Sequence, residues 1–139
     1  MIVTNQLHPA PDQVMAFVAR DDGPICMVNL LKFRDKAVYA DGSEPDLSGR
    51  EAYARYAEGV RACLAAIGGR VRFGGAVTGL LIGEVEEPWD MVAIAEYPSR
   101  AAMLAMVQSA EYRAIMKHRE AGLAGQLNIC TTEPAGAAA

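Results

Sequence analysis

The most continuous apolar run in the chain is Ile25 to Phe33, Ile-Cys-Met-Val-Asn-Leu-Leu-Lys-Phe. A run of that length and density reads as a strand covered on both faces, with Asn29 as its polar exception. Before it, residues 1–10 read as an extended lead-in. Pro11 suits the first position of a helix, where its missing N–H costs nothing, and Val14, Phe17 and Val18 then recur at helical spacing. Asp21-Asp22-Gly23-Pro24 ends that helix. Residues 35–48 are polar and turn-rich and read as an exposed loop.

Ser48-Gly49-Arg50-Glu51 has the form of a capping box, in which serine oxygen and glutamate carboxylate satisfy reciprocal backbone donors. The helix it starts runs to Ile67, with Tyr53, Tyr56, Val60, Leu64 and Ile67 on one stripe, and Gly68-Gly69 stops it. Arg70 to Glu84 reads as a long strand, with Val71 and Phe73 on one face, Arg70 and Arg72 on the other, and a bend at Gly74-Gly75. Residues 86–90 form a hairpin connection to a strand over Met91–Tyr97, which is apolar except for Glu96. Ser99 and Ser109 then open two helical segments, through Gln108 and Arg119. Gly122 closes the second, and Leu123–Cys130 is a last strand.

After the first helix the order is strand, helix, strand, strand, helix, strand. Two such halves make a ferredoxin-like α+β sandwich: a four-stranded antiparallel sheet with helices on one face. The expected organisation is a single domain over 1–130 and a flexible tail over 131–139, where small residues dominate. Strands that are apolar on both faces would leave one sheet face bare in a monomer. A second copy packed sheet to sheet covers it, so a homodimer is expected.

Composition narrows the function classes. The chain has 139 residues, about one domain's worth, and is 52% apolar and 22% charged, which excludes wholesale disorder. A net charge of −4 argues against nucleic-acid binding, and no apolar stretch is long enough to cross a membrane. Cys26, Cys63 and Cys130 give neither an even disulfide framework nor a CxxC pair, so a reducing, cytoplasmic setting is expected. Met1 to His8 lacks the basic and apolar regions of a signal peptide. There is no GxGxxG, no GxxxxGK[ST] and no GxSxG. The only histidines, His8 and His118, are far apart, so no metal site and no cofactor is assigned.

Five separated segments also match a known family in order: MVNLLKFR at 27–34, SGREAYARY at 48–56, GGR at 68–70, AEYPS at 95–99 and SAEYRAIMKHR at 109–119. Over residues 10–130 the chain resembles the domain-of-unknown-function family 1330, within the dimeric α/β-barrel superfamily. The resemblance implies paired ferredoxin-like units, each with a small-molecule cleft between sheet and helices. Related families include cofactor-independent monooxygenases, lactone isomerases and haem-dependent enzymes. Two departures stand out. Ile82 occupies a position before Gly83 where the family often carries an acid, and Tyr97 one where it often has phenylalanine.

The candidate chemistry comes from polar residues in apolar settings. Glu96, inside Met-Val-Ala-Ile-Ala, is a candidate general base or one half of a structural ion pair. Arg72 is its nearest partner by topology, and Asn29 either orients a ligand or bonds its neighbours. Glu96, Arg72 and Asn29 are expected to converge on one polar spot. His118, flanked by Lys117 and Arg119, is favoured in its neutral form and is a second catalytic candidate, or else a surface residue at a helix C-terminus. Tyr53 and Tyr56 place hydroxyls on the apolar helix stripe. Trp89 at the hairpin could cover a cleft or pack at an edge. Asn29, Arg72, Tyr53 and Trp89 are thus the candidate ligand-binding residues. Two functions follow: a cofactor-independent enzyme that oxygenates or isomerises a small organic molecule, or a non-catalytic small-molecule binder or accessory dimer using the same cleft.

Overall fold

Strand β1 (Ile25–Phe33) forms where the sequence is most apolar and lies inside the sheet, paired on both edges. The computed structural model describes residues 1–133. Around β1 the chain places α1 (Pro11–Val18), α2 (Gly49–Ala66), β2 (Arg70–Ala76), β3 (Met91–Tyr97), α3 (Arg100–Gln108), α4 (Ala110–Gly122) and β4 (Leu123–Thr131). The sheet order is β2-β3-β1-β4, antiparallel throughout. This is the ferredoxin-like α+β fold expected from the element order.

The helices begin at the expected serines. Ser48 Oγ accepts from the Glu51 N–H at 3.0 Å, and the Glu51 carboxylate accepts from the Ser48 N–H at 3.1 Å. Ser99 caps α3 by accepting from Ala102 N–H at 3.0 Å, and Ser109 caps α4 by accepting from Tyr112 N–H at 3.2 Å. Gly68 ends α2 at φ 78°, a conformation only glycine takes without strain.

Register decides which side chains share a face. Met27 is opposite Ala95 and Cys130, and Asn29 is opposite Ala93 and Asn128. With Ile25, Met27 and Leu31 buried under the helices, these residues make the inner face. Cys26, Val28 and Leu30, opposite Glu96, Ile94 and Val92, make the outer one. That outer face is open: Phe73 is 55% exposed and Ile129 45%.

Four expectations are corrected: the end of β2, the place of its irregularity, the faces of Val71 and Phe73, and the exposure of the 35–48 loop. The strand expected over Arg70–Glu84 stops at Ala76, and 77–90 is irregular, closed at its base by Val77 N–H donating to Asp90 O at 2.9 Å. Gly83, at φ 91°, does not fit a ladder, and Leu81 and Ile82 are 98% and 88% exposed. The irregularity in β2 falls at Arg72, between Val71 and Phe73, rather than at Gly74-Gly75. Val71 therefore packs inward while Phe73, opposite Ile94, faces out, so the two do not share a face. The 35–48 loop is not wholly exposed, because Ala37 and Tyr39 are buried against Ala52 and Ala121. Of the tail expected over 131–139, Thr131 is the last residue of β4 and Glu133 contacts Arg72, while 134–139 lie outside the described residues.

Helices α2 and α4 touch through glycine. A Cβ on Gly122 would stand 2.5 Å from Gly49 O and 2.8 Å from Tyr53 N, and one on Gly59 2.8 Å from Ile115 Cγ2. Backbone at that distance cannot yield as a side chain can. Gly122→Ala should therefore destabilise by at least the about 1–3 kcal/mol typical of overpacking. Ser48→Ala should cost about 1 kcal/mol through the lost cap. Chemical denaturation of both variants checks the ranking; a Gly122→Ala midpoint equal to wild type would mean that the helices do not cross there.

Candidate functional site

Between the inner sheet face and the helices lies a cavity of about 660 Å³. Its origin is the size of the sheet residues beneath it: Gly74, Ala93 and Ala95 reach only a short way toward the helices. The space opens partly to the surface, so water or a ligand fills it. The N-terminal segment and α1 form its rim. Gln6 pairs with Gln126 beside β4, and Arg100 holds the end of α1 through Asp22, with bonds of 2.9 and 3.0 Å. The Arg100 hydrogen bonds keep the Asp22 carboxyl below its ordinary pKa.

The walls are apolar, with Phe17, Met27, Met103 and Val107 among them, and two polar groups interrupt them. One is a tyrosine cluster. Tyr53 and Tyr56 project from α2, Tyr112 from α4 and Tyr97 from β3. The Tyr56 and Tyr112 hydroxyls lie 3.0 Å apart in hydrogen bond, and the rings of Tyr53, Tyr56 and Tyr112 follow one another at 5.3 and 5.9 Å. Burial pushes the Tyr53 pKa up to about 12 against the opposing pull of the nearby Arg119 charge. Burial raises those of Tyr56 and Tyr97 as well. These hydroxyls are neutral donors at any physiological pH.

The other group is a chain of amides ending on a guanidinium. Asn29 Nδ2 donates to Ala93 O at 3.2 Å and to Met27 O at 3.4 Å, which fixes Oδ1 as its acceptor. Gln126 Nε2 donates to that Oδ1 at 2.9 Å, which in turn aims Gln126 Oε1 at Arg119. Arg119 Nη2 donates to Gln126 Oε1 and to Leu7 O, both at 2.6 Å. Backbone carbonyls therefore set the orientation of the whole relay.

The expected residues are distributed differently from their predicted convergence. Asn29 and Tyr53 line the cavity. Glu96, three positions beyond the Ala93 that faces Asn29, falls on the outer sheet face, where it pairs with Arg70 at 2.9 Å rather than with Arg72. Arg72 shares that face, beside Cys26 Sγ at 3.4 Å and the Glu133 carboxylate. So Glu96, Arg72 and Asn29 form no common site. His118 lies outside the cavity, with Nδ1 2.7 Å from the Tyr39 hydroxyl, where burial and then the Lys117 and Arg55 charges lower its pKa. Trp89 donates to Asn5 Oδ1 at 2.8 Å and so holds the N-terminal segment rather than covering the cavity. Missed were Tyr97, Tyr112, Arg119 and Gln126. Tyr112, Met116 and Arg119 fall at i, i+4 and i+7, so a cation at the end of an apolar helix stripe was the available signal.

Among the described residues, no group of three or more His, Cys, Asp or Glu is placed to hold a metal ion, and no helix is long and apolar enough to cross a membrane.

The ferredoxin-like fold recurs among solved structures. The chain superposes with a TM-score of 0.51 on a dimeric ferredoxin-like protein of unknown function from Thermobifida fusca YX, 17% identical over 80% of this chain and 92% of that one. A DABB family protein with a ferredoxin-like fold from Mesorhizobium loti MAFF303099 gives 0.50, at 16% identity over 81% of this chain and 99% of that one. Much closer in sequence is the RPA0582 protein of unknown function from Rhodopseudomonas palustris, 36% identical over 94% of this chain and 100% of that one, with a TM-score of 0.82. Methylated RPA0582 protein gives 0.86, at 37% identity over 97% of this chain and 100% of that one. The model of a domain of unknown function, DUF1330, matches residues 37–132, and the chain belongs to that family. No curated protein matches the chain.

The tyrosine cluster gives a pH prediction. The fold favours the neutral phenol of Tyr53, whose pKa rises from 10.0 to about 12. Its contribution is therefore complete below pH 10 and is lost as pH climbs through that interval. Phenolate absorbance should show a late-titrating component that coincides with falling stability, and Tyr53→Phe should diminish it. Simultaneous titration of all tyrosines at the free-phenol pKa would contradict the buried cluster.

Proposed function

We propose that this protein binds a small organic molecule in the cavity between sheet and helices, and that it does so as a homodimer joined through the outer sheet face. The observation that carries the binding reading is the cavity itself. About 660 Å³ of mostly apolar space with a few convergent polar groups is the usual form of a small-molecule site. Acid–base catalysis has less support. Glu96 and His118, the expected proton carriers, both lie elsewhere, and among the described lining residues His8 is the acid–base group beside tyrosines and arginines. Binding without turnover is accordingly the better-supported reading over oxygenation or isomerisation. Three free thiols support a reducing, cytoplasmic setting.

The dimer rests on the outer face. Phe73, Ile94, Val28 and Ile129 form one apolar row by register, and Val92, Leu30 and Leu127 the next. Rows of this kind beside water favour a partner surface. The Thermobifida fusca neighbour, described as dimeric, has the same fold.

Two measurements test these readings. In a thermal-shift screen of small organic molecules, ligands that stabilise the wild type should fail to stabilise Ala93→Phe, which fills the cavity. Hits that persist unchanged would place binding elsewhere. Sedimentation should give about twice the chain mass of 14.8 kDa, falling to the monomer in Val92→Asp, whose side chain lies on the outer face. A folded wild-type monomer at micromolar concentration would rule out the dimer.

A further inference from the structure

We infer that the ligand of this cavity is an organic anion, a carboxylate carried on an apolar body, with the carboxylate held by Arg119. The inference rests on the small-molecule reading above and adds the chemical class. Its first ground is the sign of the wall. Arg119 and Arg61 line the cavity together with His8, and no Asp or Glu is among the described lining residues. This is in a chain whose acidic residues outnumber its basic ones, 17 to 13.

The second ground is how Arg119 is held. Arg70, Arg72 and Arg100 each meet a carboxylate, on Glu96, Glu133 and Asp22. Arg119, half-buried, meets only neutral oxygens, on Leu7 and Gln126. Both bonds use Nη2, and among the described residues neither Nη1 nor Nε of Arg119 has a partner. A bound carboxylate, matched to its fork, would meet these free nitrogens with charge-assisted hydrogen bonds. Glu120 faces His8 at 3.7 Å and makes no contact with Arg119.

The third ground is rigidity. The relay from Ala93 O through Asn29 and Gln126 fixes the guanidinium before any ligand arrives, so little ordering remains to oppose binding. Tyr53 has no hydrogen-bond partner for its hydroxyl among the described residues, and it feels the Arg119 charge. It is a neutral donor placed to share the anion. Much of the rest of the lining is methionine and valine, with Phe17, which suits a hydrocarbon or aromatic body.

Three probes of one length separate charge from shape: decanoate, decanamide and decylamine, titrated calorimetrically into the intact wild-type protein. Decanoate should bind at least about tenfold more tightly than decanamide, as expected for one charge-assisted contact, with decylamine weakest. Arg119→Gln should abolish the preference for decanoate over decanamide while still binding both. Arg119→Lys, which keeps the charge, should retain a reduced preference, and serves if the glutamine variant does not fold. Equal binding of the three probes to wild type, or a preference that survives Arg119→Gln, overturns the anion and leaves the cavity reading standing. Binding that Ala93→Phe leaves unchanged, or no binding of any probe, overturns both.

Discussion

The close crossing of α2 and α4 is the constraint on which the rest of the molecule depends. Gly49 and Gly122 bring two backbones together where a single Cβ would collide, and Gly59 admits Ile115 a few turns along. The two helices are thereby fixed to each other first and to the sheet second. Contact with the sheet comes through long side chains such as Leu64, Tyr53 and Tyr112, while the sheet answers with Gly74, Ala93 and Ala95. Two layers held apart by large residues over small ones enclose space, and the cavity is that space. Interiors are ordinarily filled to crystal-like density, so a gap of this size in so small a chain is a departure that function explains better than stability does.

Within the cavity, polar satisfaction is divided unevenly, and the division gives the site its direction. The Asn29 amide bonds Ala93 O, Met27 O and Gln126, which fixes its orientation within the lining. The Tyr56 and Tyr112 hydroxyls engage each other. Among the described residues the Nη1 and Nε of Arg119 have no partner, and neither do the hydroxyls of Tyr53 and Tyr97, which share the same lining. Met103 and Val107 add to the apolar wall. Donors set in a mostly apolar lining orient what enters it.

Much of the architecture was legible because local chemistry determines it. Ser48, Ser99 and Ser109 announce their helices by capping, Gly68 ends one by its positive φ, and the apolar density of Ile25–Phe33 marks a strand buried in the sheet. The site was less legible because it depends on parity between strands distant in sequence. Glu96 and Asn29 are each conspicuous within their own strand. Whether they meet is decided by the register Asn29↔Ala93, and an offset of three from Ala93 puts Glu96 on the far side. Nothing local fixes that register, since α2 and β2 separate β1 from β3 along the chain and no tight turn joins them. The bulge at Arg72 is similarly hidden: the glycines at 74 and 75 attract the eye, while the extra residue sits beside them.

The same parity separates the two surfaces of the sheet into different tasks. On the outer face, ion pairs of Arg70 with Glu96 and of Arg72 with Glu133 gather at the end near Cys26, while the apolar rows of Val28, Ile94 and Ile129 and of Leu30, Val92 and Leu127 occupy the middle. The exposed Arg70–Glu96 pair at that end contributes little to stability. On the inner face, the corresponding positions are Met27, Asn29 and Ala93, which shape and support the cavity. A residue on β1 or β3 thus belongs to one surface or the other according to whether its number is even or odd.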